Sequence, residues 1–207
     1  MGQYYNSVLK NKKGEIKSYY NFGLKLMEHS YFFNNYVNAV CEKIVNKPHH
    51  IAWVGDYADE EDYVDKDNAE MVKSLVDYRV NEGGAIELES KTAPYGYMGY
   101  LLVNHSKRQF IDMTDYYNNS VLNYGEERKS EFVIHPLPLL TAVGNGKGGG
   151  DYRSSKALNQ EDVGIWAGDL IEIVKYNEDY KWNNETKQYE YKGYKNITDD
   201  VLFDEGY

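Results

Sequence analysis

At 207 residues and a net charge of −10, the chain is long enough for one sizeable domain with its own core. It is too acidic for a general phosphate-backbone binder, which needs a basic face. Its single cysteine, Cys41, excludes an intramolecular disulfide and fits a reducing compartment such as the cytoplasm.

No apolar run approaches the roughly 18 residues of a membrane span. The opening Met1-Gly2-Gln3-Tyr4-Tyr5 has neither the basic-then-apolar order of a secretory signal nor the Ser or Thr at position 6 that myristoylation needs. The expectation is a cytoplasmic protein with no membrane contact and no direct nucleic-acid binding. Tyrosine is abundant, with 22 copies. That abundance fits either AT-rich coding or a polar-aromatic contact face.

In chain order, residues 3–10 and 15–21 read as strands around the polar, glycine-bearing turn Asn11-Lys12-Lys13-Gly14. Neither face of the first strand is cleanly apolar, which predicts a hairpin at a sheet edge. Residues 24–47 read as a helix, with Ser30 as its N-cap and Phe33, Val37, Val40 and Ile44 at helical spacing, stopped by Pro48. Cys41 falls on its apolar stripe as a small core residue. Residues 50–57 form a buried strand ending in Gly55-Asp56, and an acidic loop follows with Asp59, Glu60, Glu61, Asp62, Asp65 and Asp67. A second helix is expected over 68–80, with Asp67 and Glu70 at capping-box spacing and Gly83-Gly84 ending it.

Strands dominate from there on. Segments 97–104 and 109–114 flank His105-Ser106-Lys107-Arg108 as a hairpin. Segments 132–143 and 164–176 read as single strands, and 180–182 with 188–191 as a hairpin around residues 183–187. The fold class is α+β, a mainly antiparallel sheet with two principal helices packed on it. Residues 1–207 form one domain, of which 177–207 is a peripheral hairpin and tail.

Chemistry concentrates in one stretch. The apolar run 137–143 leads into Gly144-Asn145-Gly146-Lys147-Gly148-Gly149-Gly150-Asp151-Tyr152-Arg153. Consecutive glycines let backbone N–H groups converge on an anion, and Lys147 and Arg153 would add charge. Asn145, Gly146, Lys147, Gly148, Gly149, Gly150, Asp151 and Arg153 are therefore the candidate ligand-binding residues, for a small phosphorylated or nucleotide ligand. The loop matches neither a Walker A motif nor a dinucleotide fingerprint. The other reading is a plain flexible surface loop.

Asp56, at a strand end, and His135, in the run leading to the loop, are the candidate acid–base pair. Each has a bland reading too, as a turn aspartate and a hydrogen-bonded strand histidine. The five histidines share no zinc spacing, so no metal site and no cofactor is assigned. The acidic loop is either a solvated loop or a patch imitating nucleic-acid phosphates for a basic protein groove.

Three pieces carry a resemblance: Met1-Gly2-Gln3-Tyr4-Tyr5, Ala52-Trp53-Val54-Gly55-Asp56-Tyr57-Ala58, and the run from His135 through Tyr152. Together they resemble an uncharacterised family of small soluble proteins from low-GC bacteria and their phages, up to about residue 169. The resemblance implies no catalytic roles. It does imply a protein that interferes with a host system, acting in the host cytoplasm if phage-encoded. Two functions are therefore carried forward: binding, or hydrolysis, of a small phosphorylated ligand at the glycine loop, and inhibition of a host nucleic-acid-binding or defence protein by an acidic surface.

Overall fold

The computed structural model describes residues 2–21, 23–81, 84–88, 96–123, 133–154 and 159–201. The fold is α+β. The expected hairpin forms from β1 (Tyr5–Asn11) and β2 (Ile16–Tyr20), paired antiparallel from Ser7↔Tyr19 to Lys10↔Ile16. Its turn is closed by Asn11, whose side chain accepts from the Lys13 and Glu15 N–H groups at 2.8 and 3.1 Å, and by Gly14 at φ 86°.

β1 is not an edge strand. It also pairs along its full length with β3 (His49–Gly55). A central strand is buried on both faces, and that is why its sequence shows no clean alternation.

The long helix expected over 24–47 is two helices, α1 (Leu26–His29) and α2 (Asn35–Ile44). Asn34, not Ser30, caps α2, its side-chain oxygen accepting from the Tyr36 and Val37 N–H groups at 2.9 and 3.2 Å. Phe33 at φ 65° breaks the path between them. α3 (Ala69–Asn81) follows the acidic loop as expected. Gly83 falls outside the described residues.

β4 (Ala85–Glu87), β5 (Tyr100–Asn104) and β6 (Gln109–Asp112) come next. The hairpin at 105–108 is present, with β5 and β6 antiparallel from Leu101↔Asp112 to Asn104↔Gln109. β6 then runs straight into α4 (Met113–Asn123), where the Asp112 carboxylate accepts from the Thr114 and Asp115 N–H groups.

The strand expected over 132–143 is replaced by α5 (Pro136–Thr141) and the two-residue β7 (Ala142–Val143). Pro136 and Pro138 fall in the first helical turn, where the missing N–H groups need no partner. The strand expected over 164–176 shrinks to β8 (Leu170–Lys175), preceded by turns with Gly164 and Gly168 at φ 72° and 78°. β9 (Tyr180–Asn183) and β10 (Gln188–Tyr191) form a further hairpin, and β11 (Lys195–Asn196) follows.

The main sheet has nine strands among the described residues, in the order β11-β6-β5-β8-β3-β1-β2-β4, with β7 added to β3. It is mixed. The long ladders are antiparallel, but β4, β7 and β11 join in parallel. Among the described residues five α-helices stand where two principal ones were expected, and they divide between the faces.

One face of the sheet (Tyr5, Leu9, Ile51, Trp53, Leu102, Ile111, Ile173) packs with side chains of α1, α2, α4 and α5. The other packs Val8, Ala52, Val54 and Val143 against Val72, Leu75 and Val76 of α3. Farther along that second face, Leu101, Val103, Phe110 and Val174 are covered by Tyr180, Tyr191 and Tyr194, so β9 and β10 form their own sheet across it. Each fully buried apolar side chain here contributes roughly 1.5–3 kcal/mol by leaving water. No helix of the described residues is long and apolar enough to cross a membrane.

Candidate functional site

The two-residue β7 decides where the glycine loop goes. Ala142 and Val143 pair in parallel with Trp53 and Val54, so the chain emerges beside the end of β3. Gly144 then lies against Ala58, at the start of the acidic loop. One neighbourhood thus collects the glycine loop, Gly55-Asp56, the acidic residues 59–62 and the N-terminal Gly2-Gln3.

The loop folds onto these neighbours. The Gln3 N–H donates to the Gly149 carbonyl at 3.2 Å, and the Met27 N–H to the Gly150 carbonyl at 2.8 Å. A Cβ on Gly148 would sit 2.6 Å from the Gln3 backbone nitrogen. That glycine is needed for close approach of two backbones. The Gln3 side chain, fully buried, lies where Cβ atoms on Gly55 and Gly144 would be.

The loop also carries its own anion. The buried Asp151 carboxylate accepts from the Gly146 N–H at 2.5 Å and from the Arg153 N–H at 3.0 Å. Asn145 accepts from the Tyr152 N–H at 2.8 Å. The Arg153 guanidinium reaches back to the Gly146 carbonyl at 3.4 Å. Lys147 points away, its ammonium 2.5 Å from Asp59, 3.6 Å from Asp62 and 3.8 Å from Glu61. The hydrogen bond with Asp59 lowers the Asp59 pKa and raises that of Lys147.

Asp56 belongs to this neighbourhood. Its carboxylate accepts from the Tyr4 N–H at 3.0 Å, and its own N–H donates to the Tyr4 carbonyl at 2.9 Å. The Tyr5 hydroxyl, which donates to the Gln3 side chain at 2.9 Å, has its pKa raised first by burial and then by Asp151, Asp62 and Asp56.

His135 takes a different position from the one a general acid or base needs. It is the N-cap of α5, with Nδ1 accepting from the Leu137 N–H at 3.1 Å. Its ring is fully buried, 4.7 Å from the Phe32 ring centroid, with Nε2 3.8 Å from Cys41 Sγ. Burial pushes its pKa down to about 3, so it stays neutral and reaches no substrate from solvent. Cys41 is a core residue, and its burial likewise raises the thiol pKa.

The acidic loop is a shaped surface. Asp59 and Asp62 cap a 3₁₀ turn at Glu60–Asp62 reciprocally: the Glu61 N–H donates to Asp59 at 3.0 Å, and the Asp59 N–H to Asp62 at 2.9 Å. Buried Ala58 and Tyr63 anchor the two sides. Desolvation raises the Asp62 pKa, whereas Asp59, Glu60, Glu61, Asp65 and Asp67 are exposed. The loop's one cation, Lys66, turns inward and donates to the Gly164 carbonyl at 2.8 Å. Lys107 pairs with Asp67 at 2.9 Å.

Among the described residues no group of three His, Cys, Asp or Glu is placed to hold a metal ion. Gln3, Lys25 and Met27 help build the site although the sequence marks none of them as a binding residue. They have no local signal, because their roles depend on a contact more than 120 residues away along the chain. The chain matches no protein-family model, no curated protein and no solved structure.

Proposed function

We propose that this protein works by contact, presenting residues 56–67 as a rigid acidic surface to a basic groove of a partner protein. One observation carries the reading. Asp56, Asp59, Glu60, Glu61, Asp62, Asp65 and Asp67 fall within a single short segment, the 3₁₀ turn and the Lys147 staple hold that segment in one shape, and Lys66 is withdrawn from the surface. A preformed array of carboxylates imitates a run of phosphates, and its charge steers association with a basic surface. For a chain that resembles phage-borne proteins, the partner class is a host nucleic-acid-binding or defence protein.

A phosphorylated ligand at residues 145–153 is the less favoured reading. It would have to displace the Asp151 carboxylate from the Gly146 and Arg153 N–H groups and draw Lys147 from Asp59.

The test neutralises charge without touching the scaffold, using Glu60→Gln, Glu61→Gln and Asp65→Asn together. Asp59 and Asp62 are kept because they cap the turn. Expected are an unchanged melting transition, loss of a partner that wild type retains from host extract, and release of that partner from wild type by added nucleic acid. Retention of the same partner by the triple variant, or indifference to nucleic acid, overturns the proposal.

A further inference from the structure

The hairpin of β9 and β10 carries a row of aromatic rings. Tyr176, Tyr180 and Tyr189 stack in sequence, with centroids 4.7 Å apart at each step and interplanar angles of 29° and 19°. Trp182 meets Tyr189 edge-on at 5.1 Å. The inner end of the row is pinned by buried Asp112, which accepts from the Tyr176 hydroxyl at 2.6 Å and from the Tyr180 hydroxyl. The outer end is open, with Trp182 48% and Tyr189 41% exposed. Two large rings held at the surface by a buried carboxylate through a stack are costly to leave in water.

These two rings form one wall of a cleft of about 190 Å³. Asp115, Asp199 and Asp200 line it as well. Lys195 pairs with Asp200 at 2.7 Å, and Asp199 accepts from the Asn119 amide at 3.2 Å. Partial burial raises the Asp115 pKa, and Asp112 and Asp199 raise it further. The cleft therefore brings two aromatic rings together with Asp115, Asp199 and Asp200, and a cation placed there gains from the carboxylates and from whichever ring face it meets.

The walls choose between kinds of cation. A small hydrated metal ion wants convergent oxygen ligands and gains little from rings. A methylated ammonium is weakly hydrated and presents apolar surface to the rings while its charge faces the carboxylates. The volume is below that of a pocket for a whole drug-sized ligand, which starts at roughly 300 Å³. It suits a head group or a single side chain.

We propose that this cleft is a recognition site for an organic cation of the methylated-ammonium type. Lys187 also lines the cleft, so its ammonium competes with the ligand.

The test titrates the full chain with tetramethylammonium, free trimethyllysine and a trimethyllysine peptide, against potassium at matched ionic strength. Tryptophan fluorescence is the readout, because Trp53 and Trp166 are fully buried and Trp182 is exposed. Expected is a saturable change with the methylated cations and none with potassium. Trp182→Phe should abolish the signal, Asp199→Asn should weaken binding at least about fivefold, and Lys187→Met should tighten it. Tighter binding of the peptide than of the free amino acid places the cation on a protein partner; equal binding points to a small molecule. The proposal is overturned if no methylated cation gives a saturable response, if potassium gives the same one, or if Asp199→Asn and Lys187→Met both leave it unchanged in folded protein.

Discussion

Two buried histidines contribute a loss of stability in acid. His29 accepts from the Trp53 indole N–H at 2.8 Å and His135 caps α5, and burial lowers their pKa values to about 4 and about 3. In the unfolded chain both return to about 6.5. Between these values each histidine binds more protons in the unfolded state than in the native one, so their contribution to stability is full above about pH 7 and falls as pH drops through the unfolded value. From pH 7 to pH 5 the two together should cost about 3–4 kcal/mol. Urea unfolding across that range checks this, and His135→Asn, which keeps a capping acceptor, should remove about half of the slope.

The glycines also separate residue by residue. Gly148→Ala must push the Gln3 backbone, whereas a Cβ on Gly149 meets nothing within 4 Å. The first should destabilise by ~1–3 kcal/mol and the second by less than ~0.5 kcal/mol, as thermal melts would show. A glycine run looks uniform in sequence; only the segment packed on it distinguishes Gly148 from Gly149.

Among the elements, those whose register came from local chemistry were legible and those that needed a neighbour were not. The Asn11–Gly14 turn, the 105–108 hairpin, the 183–187 hairpin and α3 all formed from adjacent residues. α5 was hidden because all six of its residues are buried. A helix buried all round has no polar face, so it reads like a core strand. α4 was hidden by its tyrosines and asparagines, weak helix formers, although Asp112 two and three residues ahead of the N–H groups it caps was a usable signal.

The apolar spacing that suggested a continuous helix through Ser30 continued across a real break. Asn34→Ala should therefore cost about 0.5–2 kcal/mol of stability in denaturant titrations. Ser30→Ala leaves the α2 cap in place and removes none of that.

At the scale of the whole molecule, β3 runs from a basic end to an acidic one. Lys12, Lys13, Lys47 and His49 border a shallow cleft at its start, and the acidic loop follows its end. Seven residues of strand span roughly 23 Å, more than twice the ~8 Å over which physiological salt screens charge. The two poles should act separately. Association through the acidic pole should slow by about an order of magnitude from low to physiological salt. Lys12→Gln with Lys13→Gln should leave that rate nearly unchanged, and Glu60→Gln with Glu61→Gln should lower it; stopped-flow at two salt concentrations separates them.

The sequence by itself determined the α+β class, the acidic loop, the place of α3 and the three tight hairpins, because turn residues, caps and charge act over a few neighbouring positions. It could not show that Asp151 fills the anion position of its own loop, that His135 lies in the core, or that the helices divide between two faces of the sheet. Those outcomes rest on the pairing of β7 with β3 and on Gln3 lying against Gly148, contacts between segments distant in the chain. Backbone hydrogen bonding and close packing decide them, and both are properties of the assembled fold.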